Sequence, residues 1–222
     1  MTYLHAKDTN LWQLPEHALA YLAQADAIPH RTEGEKALLE CLSAPVTNIL
    51  DLGSGDGRLL TLVGLVHPQA RAVALDFSDT MIERLQRHFG DNPSVSVVLH
   101  DLNVTLPQLD DVFDAVVSSF AIHHLPHARK RSLYEDVFER LAPGGTFCNL
   151  EHVASATPSL HTQFLEKLGI AVGQEDPSNK LLDVETQLSW LREIGFVDVD
   201  CHWKWRELAL LVGIKPSLHA AE

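Results

Sequence analysis

The stretch ILDLGSGDGRLL, Ile49–Leu60, decides the fold. It begins as an apolar run, turns through Gly53, Gly55 and Gly57, and closes as an apolar helical pattern. A strand that ends in glycines and leads straight into a helix is the first βα unit of a nucleotide-binding sheet. Two forms of that turn are excluded. The dinucleotide fingerprint G-x-G-x-x-G needs a third glycine where Arg58 stands, and no G-K-[ST] follows to make a P-loop. What remains is D-x-G-x-G-x-G, with Asp51 at the end of the first strand and Asp56 inside the turn. A carboxylate there repels a pyrophosphate and attracts an ammonium or sulfonium.

Outward from this turn the chain alternates. β-rich runs occur at VTNILDL, ARAVALD, SVSVVLHD, FDAVVSSF, GTFCNLEHV, VDVDCHW and ELALLVGIK. The spacing predicts helices over Gly57–Val66, Asp79–Phe89, from Pro126 to the APGG turn, and over Val184–Ile194. Strand and helix in alternation predict an α/β doubly wound sheet with helices on both faces. The last two β runs have no helix between them and predict an antiparallel hairpin near a sheet edge. Two helical patterns precede the first strand, around Leu11–Ala25 and Glu33–Leu42. They are too short to fold alone and must pack on the main domain.

Composition narrows the class. The chain has 222 residues, 45% hydrophobic and 21% charged, which suits one globular core. No apolar run approaches the roughly 20 residues of a membrane span, and the N-terminus lacks a signal pattern. A cytoplasmic protein with no membrane partner is expected. The formal net charge of −13 argues against nucleic acid, which requires a basic face. The 13 histidines are scattered, with no H-E-x-x-H, so no metal site is expected. Cys41, Cys148 and Cys201 form no C-x-x-C and read as buried free thiols.

Two more strand ends define the ligand. ALDFS puts Asp76 where an acid accepts from ribose hydroxyls, and HDLN puts Asp101 where an adenine amino group could be read. The ligand then carries a ribose, an amino-bearing base and a cationic tail, and no phosphate. ILDLGSGDG, ALDFS, HDLN, VVSSFAIHHL and LAPGGTF, in this order, resemble the successive motifs of class I S-adenosylmethionine (SAM) methyltransferases. The resemblance covers about Val46 to Pro216. It implies a Rossmann-like seven-stranded sheet of order 3-2-1-4-5-7-6 with the last strand antiparallel. IHHL and QLSWLREIGFVDVDCHWKWRELALLVGIKP are similar to the small-molecule branch. By position the resemblance implies that Asp51, Gly53, Ser54, Gly55 and Gly57 cradle the methionine part of SAM. Asp76 would bind the ribose, with Phe77 and Met81 near the adenine. Asp101 and Leu102 would read the adenine edge, and Ser119 would flank the cofactor. Arg58 lies outside the motif and is expected to face solvent.

Several residues carry two readings. Phe77 and Met81 serve the adenine or the core. His123 and His124, after the fourth strand, offer a neutral imidazole as proton acceptor or cap and pack under the next helix. Glu151, with His152 beside it, positions a substrate or makes a structural ion pair. Arg31 pairs the SAM carboxylate or a substrate carboxylate, or makes a surface ion pair with Glu33 or Glu35. Trp12, Trp203 and Trp205 line an acceptor pocket or the core. The expected organisation is a helical cap or lid over 1–45 and a SAM domain over 46–222, with 154–183 as an acceptor-side insertion. The expected activity is methyl transfer from SAM to a small molecule, leaving S-adenosylhomocysteine. A carboxy-SAM synthase-like enzyme and a silent SAM-binding module are the alternatives. A nicotinamide oxidoreductase is disfavoured by Asp51 and Arg58. The acceptor atom is not fixed, and a homodimer stays open.

Overall fold

The computed structural model of the chain describes residues 14–19, 28–42, 45–109 and 111–217. Trp12 lies outside them. Of the Leu11–Ala25 pattern, only a helical turn at 15–19 is described.

Seven strands form one sheet: β1 (Asn48–Leu52), β2 (Arg71–Asp76), β3 (Val95–Leu99), β4 (Phe113–Ser119), β5 (Leu141–His152), β6 (Val197–Trp205) and β7 (Leu208–Ile214). Their order is β3-β2-β1-β4-β5-β7-β6. The pairs β1–β2, β1–β4, β2–β3 and β4–β5 are parallel. The closing hairpin is antiparallel, with β7 between β5 and β6. The strand order reverses beside β1, which opens a crevice at the carboxyl ends of β1 and β4.

Among the described residues, the longer helices that cover the faces are α1 (Arg31–Cys41), α2 (Arg58–Val66), α3 (Asp79–Phe89), α4 (His127–Arg140), α5 (Pro158–Leu168) and α6 (Val184–Ile194). One core lies under α1, α2, α3 and α5, where Leu38, Leu42, Leu59, Val63, Leu85 and Phe164 meet Ile49, Cys148 and Leu150. The other lies under α4 and α6, where Leu133, Val137, Leu188 and Leu191 meet Leu50, Val116 and Phe147. Consecutive residues of β5 therefore serve opposite cores, as the period of two in a strand requires. No helix joins β3 to β4; Leu102 and Leu106 of that connection fill the second core instead.

The expected helix ends hold with one difference. Gly195 closes α6 at φ 117, a conformation that suits glycine. At the end of α4, Leu141 already pairs with Phe113, and Ala142–Gly145 bulge out before Thr146 rejoins at Ala115. The APGG turn is thus an irregularity inside β5 rather than a loop before it. Cys148 is buried as expected, whereas Cys41 and Cys201 are only half-buried; all three are free thiols.

The glycine turn is built by close approach. Gly53 has φ 72, and a Cβ there would stand 2.3 Å from the Cβ of Ala121. Gly55 has φ 57 but open space around the same position. Both substitutions carry the left-handed backbone cost of about 1–2 kcal/mol, and only Gly53→Ala adds a clash. Urea unfolding should show Gly53→Ala destabilised well beyond Gly55→Ala, and equal losses would contradict this packing.

Candidate active site

Asp76 organises the crevice. Its Oδ2 accepts from the Gly55 N–H at 2.9 Å and its Oδ1 from the Ser78 N–H at 2.9 Å. Above it the Gly53 and Ser54 N–H groups both reach the Leu75 carbonyl at 2.9 Å. The turn after β1 is thereby tied to the end of β2. Burial raises the Asp76 pKa to about 6, against the backbone donors that favour its charge. Ser54 Oγ donates to the Asp51 carbonyl at 3.1 Å. The Asp51 side chain itself is 1% exposed, and its Oδ2 is buried with no hydrogen-bond partner. Burial, with Asp76 as a minor contributor, raises its pKa to about 7. On the β4 side Ser119 Oγ is likewise buried and unpartnered.

The remaining expected cofactor residues gather at the same edge. Asp101 Oδ1 accepts from the Asn103 N–H and Nδ2, both at 2.9 Å, and closes a turn. Leu102 is buried, and its carbonyl is held by Arg129 Nε at 2.7 Å. Met81 is buried and Phe77 half-buried. Arg31 makes the expected ion pair with Glu35, but in the interior rather than at the surface. It is no surface group: its Nε donates to buried Glu35 at 2.8 Å, and its guanidinium lies 5.5 Å from the Phe120 ring centroid. Glu35 also takes Nε and Nη2 of Arg58 at 2.7 and 2.9 Å. The expectation that Arg58 faces solvent is therefore wrong. It joins α1 to the first turn of α2, and the fork geometry of both arginines suits a shared carboxylate.

The β4–β5–β7 half of the edge is rich in histidine and acid. His123 Nδ1 lies 2.7 Å from Glu151 Oε1. Both side chains are buried. Burial lowers the His123 pKa well below its ordinary value, helped by His152 and Lys130. Burial also raises that of Glu151. An Nδ1–H donated to Glu151 leaves the Nε2 lone pair as the proton-accepting position. The Glu151 Oε1 also accepts the His152 N–H at 2.9 Å, while its Oε2 is buried without a partner.

His124 is tied elsewhere, with Nδ1 2.9 Å from Ser178 Oγ, which donates to Asp176 Oδ1 at 2.7 Å. Neither histidine caps α4, whose N-cap is Pro126 with no side-chain cap bond. His127 turns away to the Leu181 carbonyl at 3.2 Å.

Three site-shaping residues had little sequence signal. Buried Lys130 donates to the carbonyls of His123 at 3.2 Å and Lys180 at 2.6 Å. Fully buried Glu207, in the β6–β7 turn, binds His152 Nε2 at 3.1 Å and His161 Nδ1 at 2.9 Å. Burial would raise its pKa, but the bonds from His152, Ser155 and His161 together hold it below the ordinary value. Glu35 was visible only as an i+4 partner of Arg31; its bond to Arg58 was not. Trp203 packs on Gly34, and Trp205 stacks near His30 at 4.4 Å and Phe164 at 5.9 Å, so both belong to the first core.

The comparisons with known proteins agree with this fold. A methyltransferase domain family model matches residues 49–145. The chain is 31% identical over 198 residues to a demethylmenaquinone methyltransferase of Clavibacter sepedonicus, covering 80% of this chain and 78% of that protein. It is 26% identical over 203 residues to a carboxy-S-adenosyl-L-methionine synthase of Klebsiella pneumoniae, covering 82% and 81%. Among solved structures it is similar to the N-methyltransferase NodS of Bradyrhizobium japonicum in complex with S-adenosylhomocysteine. The TM-score is 0.68 at 19% identity, covering 94% of this chain and 100% of that one. Human N-acetylserotonin methyltransferase in complex with SAM gives a TM-score of 0.69 at 15% identity, covering 96% and 61%.

The sheet order, the acid-flanked glycine turn and these relatives define a SAM-dependent transferase. The chain belongs to the class I SAM-dependent methyltransferases, and SAM is its cofactor. The residues fit that cofactor: an orphaned buried carboxylate suits its cationic end, and the open space over Gly55 gives it room. Among the described residues no helix is long and apolar enough to cross a membrane, and no group of ligands could hold a metal.

Asp51 makes the cofactor-free fold pH-sensitive in an unusual direction. Its folded pKa lies above the unfolded value of about 3.9. The unfolded chain gives up the proton first, so this residue costs stability as pH rises from about 4 to about 7. Asp51→Asn should be more stable than wild type at pH 8, on the order of a few kcal/mol, with the gap closing toward pH 4. Urea titrations at both pH values check this; a gap independent of pH would refute the buried, strained ionisation.

Proposed function

We propose that this enzyme methylates a nitrogen or oxygen of a small-molecule acceptor, with His123 as the general base and Glu151 holding it. The observation that carries the reading is the 2.7 Å contact between two buried side chains at the ends of β4 and β5. It stands on the same strand edge as the SAM residues. When bound, SAM supplies a methyl already activated by the sulfonium charge. The chain's part is to align the acceptor for in-line displacement, exclude water and remove a proton. Asp51, Gly53, Ser54, Gly55 and Gly57 face the methionine end. Asp76 takes the ribose hydroxyls on the lone pairs left by Gly55 and Ser78. Phe77, Met81, Asp101 and Leu102 flank the base, and Ser119 closes the β4 side. Arg31 acts through Glu35, which aligns Arg58 beside the glycine turn, rather than on the SAM carboxylate directly. His124 anchors the 154–183 insertion rather than moving the proton.

The small-molecule acceptor is supported by the cover over this edge. The Lys180 N–H reaches the His123 carbonyl at 2.9 Å, and the Ala154 N–H reaches the Leu182 carbonyl at 3.0 Å. From the N-terminal side, His17 meets Asp176 at 3.2 Å. We assign 1–45 and 154–183 to a cover that encloses the acceptor on a 46–222 catalytic domain. Acceptors named for the relatives, demethylmenaquinone and N-acetylserotonin, are small molecules too. A carboxy-SAM ligand would add an anion on this side. The described lysines here, Lys130 and Lys180, donate to backbone carbonyls, and the neighbouring side chains are Glu151, Glu175 and Glu207. That arrangement favours the methyl donor over the carboxylated one.

Three measurements test this. Asp76→Ala should weaken SAM binding at least about tenfold in calorimetry. Calorimetry at pH 6.5 in two buffers should show proton release on SAM binding, lost in Asp51→Asn, because a cation beside Asp51 favours its charged form. S-adenosylhomocysteine should form from SAM plus a protein-free small-molecule extract, and His123→Gln should lower that rate by about 10²-fold or more without changing SAM affinity. Turnover confined to the macromolecular fraction of the extract would overturn the acceptor class. An unchanged rate in His123→Gln would overturn the base.

A further inference from the structure

A parallel crossover is ordinarily carried by a helix, yet among the described residues 100–112 hold none. This bare connection carries Asp101 and Leu102. Its own bonds close only a turn. Asp101 Oδ1 takes the Asn103 N–H and Nδ2 at 2.9 Å, and the Val104 N–H reaches the Asp101 carbonyl at 3.1 Å. At its start the His100 N–H donates to the Asp76 carbonyl at 2.8 Å, beside the acid that organises the crevice.

The hold on the far side of the turn comes from α4. Arg129 Nε donates to the Leu102 carbonyl and Nη2 to the Val104 carbonyl, both at 2.7 Å. Asp136 Oδ2 takes the same Nη2 at 2.8 Å and the Leu106 N–H at 3.3 Å, while Ser132 Oγ takes Nη1 at 2.8 Å. The side chains of Arg129 and Asp136 are only 12% and 18% exposed. A guanidinium is planar and its donors are fixed relative to one another. Two carbonyls two residues apart are therefore set against each other and against α4. Between them stands Asn103, whose N–H and amide hold the Asp101 carboxylate. The aim of that carboxylate is thus traced back to Arg129. At the other end of α4, Arg140 holds the Pro107 and Leu109 carbonyls at 2.9 and 3.1 Å. That second clamp lies about 16 Å further along the helix, on the half of the connection that leads away from Asp101.

We propose that Arg129 is the positioning residue for cofactor specificity: by fixing the Leu102 and Val104 carbonyls it aims Asp101 so that a purine with an amino group is accepted and one with an oxo group is refused. The inference rests on the assignment of Asp101 and Leu102 to the base. A carboxylate accepts from an exocyclic amino group and repels an exocyclic oxygen. The repulsion discriminates only while the carboxylate is held in place. Once the turn is loose, Asp101 swings into water and the oxo base enters.

Calorimetry on the full chain tests this with two probes, S-adenosylhomocysteine and its deaminated analogue S-inosylhomocysteine. Wild type should prefer the adenosyl ligand by at least about a hundredfold. Arg129→Met should shrink that preference below about tenfold, chiefly by weakening the adenosyl ligand. Arg129→Lys keeps the charge but lacks the fork; it should shrink the preference likewise, and it decides alone should Arg129→Met fail to fold. Arg140→Met should lower the urea midpoint and keep the wild-type preference. Equal weakening of both ligands in the Arg129 variants, or the same loss of preference in Arg140→Met, marks a merely structural prop and overturns the proposal. Asp101→Ala separates the two levels of the argument. If it retains the preference, the assignment of the base falls and the proposal with it. If it loses the preference while the Arg129 variants retain it, the assignment stands and the proposal alone is overturned.

Discussion

One buried carboxylate holds the nucleotide half of this enzyme together. Asp76 ends β2 and accepts from Gly55 of the first turn and Ser78 of the second. Two separate strand ends thereby become one surface. The cost is an acid held in low dielectric, its charge resisted by burial. Asp51, one strand over, is in the same state with less compensation. The crevice is therefore preorganised for a ligand with hydroxyls and a cation. Stability is given up locally, which is common where function dictates the arrangement.

The other half of the edge uses a different economy. There the acids are partnered with histidines: Glu151 with His123, and Glu207 with His152 and His161. The rings of His123 and His124 stand 3.9 Å apart, and those of His123 and His152 5.6 Å. Burial holds the pKa values of His123 and His124 down, which keeps these two imidazoles neutral. A neutral imidazole is what a proton-accepting role near pH 7 requires. The two halves thus differ in how they hold their acids: one leaves them to backbone donors and burial, the other pairs them with imidazoles.

The fold was largely legible because its signals are local. Glycines at positive φ, apolar runs of period two, and helices stopped by Gly195 all act within a few residues. Asp51, Asp76 and Asp101 could be placed at strand ends for the same reason. The pairings that shape the site were not legible. Glu35 reaches Arg58 across 23 residues, His124 reaches Ser178 across 54, and His161 reaches Glu207 across 46. No spacing rule links such pairs; only the packed sheet brings them together. Arg58 shows the consequence: it was read as solvent-facing because its partner sits on a helix that precedes the sheet.

The placement of β7 bears on how the chain comes to be made. Among the described residues it is the last strand, yet it lies between β5 and β6. During synthesis β5 emerges with one edge open, and β6 has no strand to join until Leu208–Ile214 leaves the ribosome. Strands β1 to β4 can pair before then. Glu207, at the turn into β7, arrives with that closing strand and brings His152 and His161 into register. The strand that emerges after β6 is thus the one that joins it to the rest of the sheet, and Leu208–Ile214 works as a keystone.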